Sequence, residues 1–113
     1  MDGYLIKTDS SGNSIWTNTF GGAGNDVTRS VQQTTDGGYI IAGGIDAFPP
    51  NYNQVYLIRT DSSGNSMWTK TFGGTFVEQG WDAQQTTDGG YIVVGTTGSF
   101  GAGLTDVYLI KTF

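Results

Sequence analysis

Cysteine and histidine are both missing from this sequence of 113 residues. Their absence excludes disulfide frameworks, thiolate and imidazole zinc sites, Ser-His-Asp triads and Cys-His dyads. Charge is scarce as well: Asp, Glu, Lys and Arg make up 13% of the chain, about half the ~25% usual in globular proteins. Basic residues are the scarcest, five Lys and Arg against ten Asp and Glu, for a net charge of -5. Such a balance argues against a nucleic-acid groove or a basic membrane-binding face. No apolar run approaches the ~20 residues of a membrane span, so membrane insertion is not expected. Met1-Asp2-Gly3-Tyr4 carries neither the basic nor the apolar stretch of a secretory signal. Glycine, by contrast, is abundant at 19 residues. Together with the low charge it disfavours long exposed helices and favours short strands joined by tight turns.

A shift of 52 positions aligns the chain with itself. Tyr4-Leu5-Ile6-Lys7-Thr8-Asp9-Ser10-Ser11-Gly12-Asn13-Ser14-Ile15-Trp16 falls without a gap on Tyr56 to Trp68. The same shift lays Gln32 to Ile40 on Gln84 to Ile92, and Tyr56 to Thr60 on Tyr108 to Thr112. The chain is two units of 52 residues and nine more. A period of this size marks stacked or radial units, none of which buries its hydrophobic faces alone.

Strand signals dominate each unit. Val55 to Thr60 is β-branched and aromatic, Asp61-Ser62-Ser63-Gly64-Asn65 is a turn cluster, and Ser66 to Phe72 resumes the alternation, so the three read as a hairpin. Val27 to Thr35 and Tyr39 to Ile45 read as a second hairpin, with Asp36-Gly37 expected to supply the positive φ angles of a tight turn. Gly21-Gly22 and Gly73-Gly74 mark the points where one sheet ends and the next begins.

Four antiparallel strands in about 50 residues, repeated, is the pattern of a β-propeller blade. Named outward from the axis, strand A is Val27–Thr35, B is Tyr39–Ile45, C is Gln54–Thr60 and D is Ser66–Phe72. The string Tyr-Leu-Ile-Lys/Arg-Thr-Asp-Ser-Ser-Gly-Asn-Ser-x-Trp-Thr-x-Thr-Phe-Gly-Gly, followed by Thr-Thr-Asp-Gly-Gly-Tyr-Ile, resembles the blade repeat of many bacterial and archaeal surface-associated propeller proteins. The resemblance covers essentially the whole chain and implies a secreted or cell-surface protein. Asp9-x-x-Gly12-x-x-x-Trp16, repeated as Asp61-x-x-Gly64-x-x-x-Trp68, is also similar to the C-to-D hairpin of quinoprotein-type propellers and, more loosely, to the Asp-box turn of sialidase-like ones. Its spacing differs by one residue from both, so no quinone-binding or glycosidase residue carries over.

The fold expected is all-β, with propeller blades of four antiparallel strands and two blade equivalents in one repeat domain spanning residues 1–113. Residues 3–22 would be strands C and D of a first blade, 27–74 a complete blade, and 79–113 strands A, B and C of a third. A ring needs about four to eight blades. Self-association would complete it, three copies giving six blades and four copies eight, with the trimer preferred. Six-bladed trimers of two-blade subunits occur among small fucose-binding lectins, an architectural analogy only. Which copy of strand C serves at the junction, the terminal one or that near Tyr4 to Thr8, is left open. A fragment of a larger propeller is the alternative.

Differences between the two units separate scaffold from specificity. The C-to-D and A-to-B turns are identical in both, so Asp9, Gly12, Trp16, Asp61, Gly64 and Trp68 are read as structural. The aspartates are expected to accept backbone N–H groups of their own turns and the tryptophans to pack between blades. Gln32, Gln33, Gln84 and Gln85 are expected to bond between blades. Divergence gathers in the D-to-A and B-to-C connections, which emerge together on one face. The candidate ligand-binding residues there are Asn25, Asp26, Arg29, Glu78 and Trp81 from the first set, and Phe48, Asn51, Tyr52, Asn53 and Phe100 from the second. Aromatic rings beside amides and carboxylates suit a glycan, and a protein ligand is the other expectation. Asp26 and Glu78 occupy equivalent positions and would form a carboxylate belt in a ring. No catalytic residue, metal site or cofactor is assigned, because no loop has calcium or phosphate-binding spacing. The reading is a non-enzymatic binding or scaffold module, with a carbohydrate-binding lectin-like module as its alternative.

Overall fold

A computed structural model describes residues 2–21, 26–46, 53–73, 77–98 and 106–112. All regular structure in them is β: β1 (Gly3–Thr8), β2 (Ser14–Phe20), β3 (Asp26–Gln33), β4 (Tyr39–Asp46), β5 (Asn53–Thr60), β6 (Ser66–Phe72), β7 (Glu78–Gln85), β8 (Tyr91–Thr97) and β9 (Asp106–Thr112). Every pairing is antiparallel, and the strands form three sheets, β1-β2, β3-β4-β5-β6 and β7-β8-β9. The all-β expectation holds, and β6 has the boundaries read from the sequence.

Four hairpin turns, at residues 9–13, 34–38, 61–65 and 86–90, share one backbone design. In the second, the Gly37 N–H donates to the Thr34 carbonyl (3.0 Å) and the Thr34 N–H to the Gly38 carbonyl (2.9 Å). Among the described residues positive φ occurs only at glycine, here at Gly37 with φ 89°. The expectation that Asp36 shares the positive φ is therefore corrected. A type I turn followed by a left-handed glycine closes the hairpin, and it keeps Asp36 where its carboxylate accepts the Thr34 hydroxyl (2.6 Å) and the Gly38 N–H (3.2 Å). Asp9 and Asp61 work the same way, each accepting two backbone N–H groups of its own turn at 2.9 Å.

The three sheets stack face to face, and the core lies in the two interfaces between them. Phe20 and the half-buried Leu5 meet Ile41, Tyr56 and Ile58 in the first interface. Ile40, Ala42, Val55 and Leu57 meet Ala83, Tyr91 and Val93 in the second. Alternation along β4 and β5 sends one set of side chains to each neighbour, so the middle sheet is buried on both faces. Each fully buried Leu, Ile or Val contributes about 1.5–3 kcal/mol. Among the described residues the outer faces have no such cover. Stacking in a row also lengthens the molecule, whose radius of gyration is 14.4 Å with extents of 46 × 33 × 22 Å, against about 13 Å for a compact domain of this size.

Both interfaces repeat one set of contacts at the 52-residue spacing. Trp16 of β2 meets Tyr39 of β4 edge-on at 5.9 Å, and Trp68 of β6 meets Tyr91 of β8 edge-on at 5.7 Å. The turn before β6 is held under Trp16, since a Cβ on Gly64 would stand 2.5 Å from the indole, and the Asn18 amide donates to the Gly64 carbonyl at 2.6 Å.

Candidate functional site

Side-chain chemistry in this chain concentrates along β3 and β7, whose equivalent positions stand side by side. The Ser30 hydroxyl donates to Asp82 (2.6 Å), Arg29 Nη2 donates to Gln79 Oε1 (3.2 Å), and the Thr35 N–H donates to Gln85 Oε1 (2.9 Å). The Arg29 guanidinium lies over the Trp81 ring, 4.2 Å from its centroid. The structure thus brings together two of the sequence candidates, Arg29 and Trp81, which are each other's counterparts in the two units. Trp81 remains 49% exposed.

A β-bulge explains why these two residues reach the surface. In the β3–β4 register Thr28 pairs with Gly43 and Ser30 with Ala42, and in β7–β8 Gly80 pairs with Gly95 and Asp82 with Val94. Arg29 and Trp81 are the extra residues. A bulge adds one residue to one strand and re-aims its side chain. The bulged backbone presses on the partner strand, where a Cβ at Gly43 or Gly95 would collide with the Val27 or Gln79 carbonyl. Only glycine leaves that room.

Asp26 and Glu78 are placed differently from the exposed ligand face expected of them. They open β3 and β7 and are buried, at 2% and 0% exposure. Gly73 makes space for one of them: a Cβ there would stand 3.2 Å from the Glu78 carboxyl carbon. Each carboxylate faces a tyrosine from the same position of the repeat. Burial raises the Tyr56 pKa and Asp26 adds to the rise, with the Thr69 hydroxyl opposing; burial and Glu78 do the same to Tyr108. The Thr97 hydroxyl lies 3.4 Å from Glu78 Oε1. Asn25, Phe48, Asn51, Tyr52 and Phe100 lie outside the described residues, and Asn53 enters β5 through its backbone pairing with Asp46.

At the opposite end of the sheets a second polar set recurs. The nearly buried Arg59 donates to Asp36 and, through Nε, to the Tyr91 hydroxyl (2.7 Å); Lys111 pairs with Asp88 at 3.1 Å. Hydrogen bonds from Arg59, Thr34 and Gly38 hold the Asp36 carboxyl well below the usual carboxylate range, and Thr86, Gly90 and Lys111 do so for Asp88. Sequence reasoning passed over this set. Its signal was the common spacing of 23 residues from Asp36 to Arg59 and from Asp88 to Lys111.

Two surface clefts accompany these features. One of about 200 Å³ lies among Gln32, Gln33, Gln84 and Gln85 at the ends of β3 and β7. A larger one, about 590 Å³, runs beside β9 and is bordered by Trp68, Lys70, Phe72, Tyr91 and Lys111. Comparison with protein-family models and with curated proteins finds no match.

Proposed function

We propose that this chain is a propeller-type repeat unit that closes a ring with further copies of itself and serves as a non-enzymatic binding or scaffold module. The observation that carries the reading is the repetition of one inter-sheet contact, Trp16 on Tyr39 and Trp68 on Tyr91, at the same edge-on geometry. Interfaces that repeat by a constant displacement generate rings when the rotation closes. The outer faces support it: Tyr4, Ile6 and Val31 are exposed toward one side, and Val94, Val107 and Leu109 toward the other. In the ring the four-strand sheet is one blade and the two-strand sheet of one copy joins the third sheet of the next to make another, and the ligand face is the end from which the β2–β3, β4–β5, β6–β7 and β8–β9 connections leave.

Light scattering on the purified chain tests the assembly. Three subunits, for six blades, are expected, and four, for eight, agree with the same reading. A monomer at every concentration, or material of indefinite size, overturns it in favour of a segment of a larger propeller.

One observation favours carbohydrate as the ligand. Trp81 is half-exposed on its bulge beside Arg29, Gln79 and Asp82, the pairing of an aromatic ring with polar groups that sugar sites use. Around a closed ring Arg29 and Trp81 would alternate about the axis. Stabilisation by a monosaccharide in a thermal-shift panel, lost in Trp81→Ala, would support this reading; a panel and a glycan array without a response would remove it.

A further inference from the structure

We propose that a second copy of this chain docks its β1–β2 hairpin along β8, and that β1, not β9, supplies the third strand of the joined sheet. This rests on the ring reading above and settles which of two near-identical strands is used. β1 and β9 share Tyr-Leu-Ile-Lys-Thr and differ only at their first common position, Gly3 in one and Val107 in the other. Against β8 the two are therefore interchangeable: Tyr4 would take the place of Tyr108 beside Glu78, and Lys7 that of Lys111 beside Asp88.

The choice is made on the other face, by the sheet that follows. At the second interface Val55 packs on Gly80, and a Cβ on Gly80 would lie 2.9 Å from Val55 Cγ1. At the first interface the sizes are reversed. Gly3 packs on Thr28, and a Cβ on Gly3 would collide with the threonine methyl group. Gly3, Val55 and Val107 are one position of the repeat, and Thr28 and Gly80 are another. The strand at the junction meets Thr28 of the incoming copy. Gly3 already fits that threonine, whereas Val107 would set two branched side chains into room for one. β9 then acts as a stopgap that covers the edge of β8 until a second copy arrives, and Val107 is 78% exposed while it does so.

The large cleft beside β9 has the shape the arriving hairpin needs. At the first interface Trp16 covers Gly64, and Asn18 binds the Gly64 carbonyl at 2.6 Å. Trp68 and Lys70 occupy the positions of Trp16 and Asn18 on the wall of the cleft. Gly12 of the second copy, the counterpart of Gly64, would enter beneath Trp68 with its carbonyl toward the Lys70 ammonium.

Since the chain has no cysteine, paired cysteines report the strand order directly in the full-length protein. Val94 opposes Leu109 in the β8–β9 register, and Leu5 opposes Asn18 in β1–β2. Directly opposed strand residues lie within disulfide reach. L5C/V94C should shift from monomer to covalent dimer and higher bands on a non-reducing gel, while L109C/N18C should stay monomeric. The reverse pattern, with a discrete oligomer in light scattering, overturns the strand choice and leaves the ring standing. A wild-type chain that never associates overturns both. Gly3→Val should weaken assembly by about tenfold or more, the effect of overpacking a filled contact. Thr28→Gly in the same chain should restore it; a Gly3→Val variant that assembles like wild type counts against the proposal.

Discussion

Leu5, Leu57 and Leu109 hold one position of the repeat in three surroundings, which makes them an internal test of where the core lies. Leu57 is fully buried between the second and third sheets, Leu5 is half-buried between the first and second, and Leu109 is 65% exposed on an outer face. Truncation to alanine removes three carbon atoms. At about 0.8 kcal/mol per buried methylene the transfer loss for Leu57 is about 2.5 kcal/mol, and the unfilled cavity carries the total to about 3–5 kcal/mol. With only a third of its surface covered, Leu109 should lose under about 1 kcal/mol on the same scale. Leu5→Ala should fall between. The assay is urea unfolding followed by tryptophan fluorescence, at one protein concentration because association adds to apparent stability. With a slope of about 2 kcal/mol/M, Leu57→Ala moves the midpoint down by roughly 1.5–2.5 M and Leu109→Ala by under about 0.5 M. Equal losses at the three positions, or a Leu57→Ala shift as small as that of Leu109→Ala, would refute the placement of the core between the sheets.

Other perturbations follow from the turns and charges. Gly12 and Gly64 share a positive φ, but within one chain only Gly64 lies against a tryptophan, Trp16; at a concentration low enough to keep the chain monomeric, Gly12→Ala should cost about 1 kcal/mol for the backbone alone, and Gly64→Ala clearly more, as measured by urea titration. Arg59→Ala should lower the melting temperature by more than Lys111→Ala, because Arg59 is nearly buried and also binds the Tyr91 hydroxyl, and equal shifts would contradict this. Asp9, Asp36, Asp61 and Asp88 all have pKa values lowered in the folded chain by their hydrogen bonds. Their stabilisation is thus complete above the ordinary aspartate value and is lost as pH falls below about 4, so the melting temperature should drop across that range, and Asp36→Asn should flatten the drop. At the alkaline end the raised pKa values of Tyr56 and Tyr108 have the opposite sign: their contribution is whole below about pH 10 and declines above it, which ultraviolet titration of tyrosinate beside circular dichroism would follow.

The strands were legible because two independent signals coincided on them. Ser66 to Phe72 alternates with period two and stops at glycine, and its copy 52 residues earlier does the same. The bulge was not legible. One extra residue in β3 or β7 carries no composition signal of its own, yet it resets which side chains face which way beyond it. Gly43 and Gly95 held a trace of it, as glycines inside otherwise apolar strands. Asp26 and Glu78 escaped for a simpler reason: read as part of the D-to-A connections, they instead open β3 and β7 and are buried. The Asp36–Arg59 pair escaped for another reason, since its partners come together only when β4 and β5 align. The match of Gly3 to Thr28 and of Val55 to Gly80 was written in the repeat, but nothing marks those positions as neighbours until the sheets are stacked.

The bulge has a consequence for how such a chain diversifies. Arg29 and Trp81 stand outside the paired register, so the ladder of hydrogen bonds makes no demand on the identity of either side chain. Meanwhile the glycine across the strand, Gly43 or Gly95, holds the backbone of each bulge in place. Variation at two sites per chain would be multiplied by every subunit around a ring, which turns a pair of codons into a complete belt of new surface. A combinatorial library restricted to positions 29 and 81 would thus vary that surface while leaving the hydrogen-bond ladder of each sheet intact.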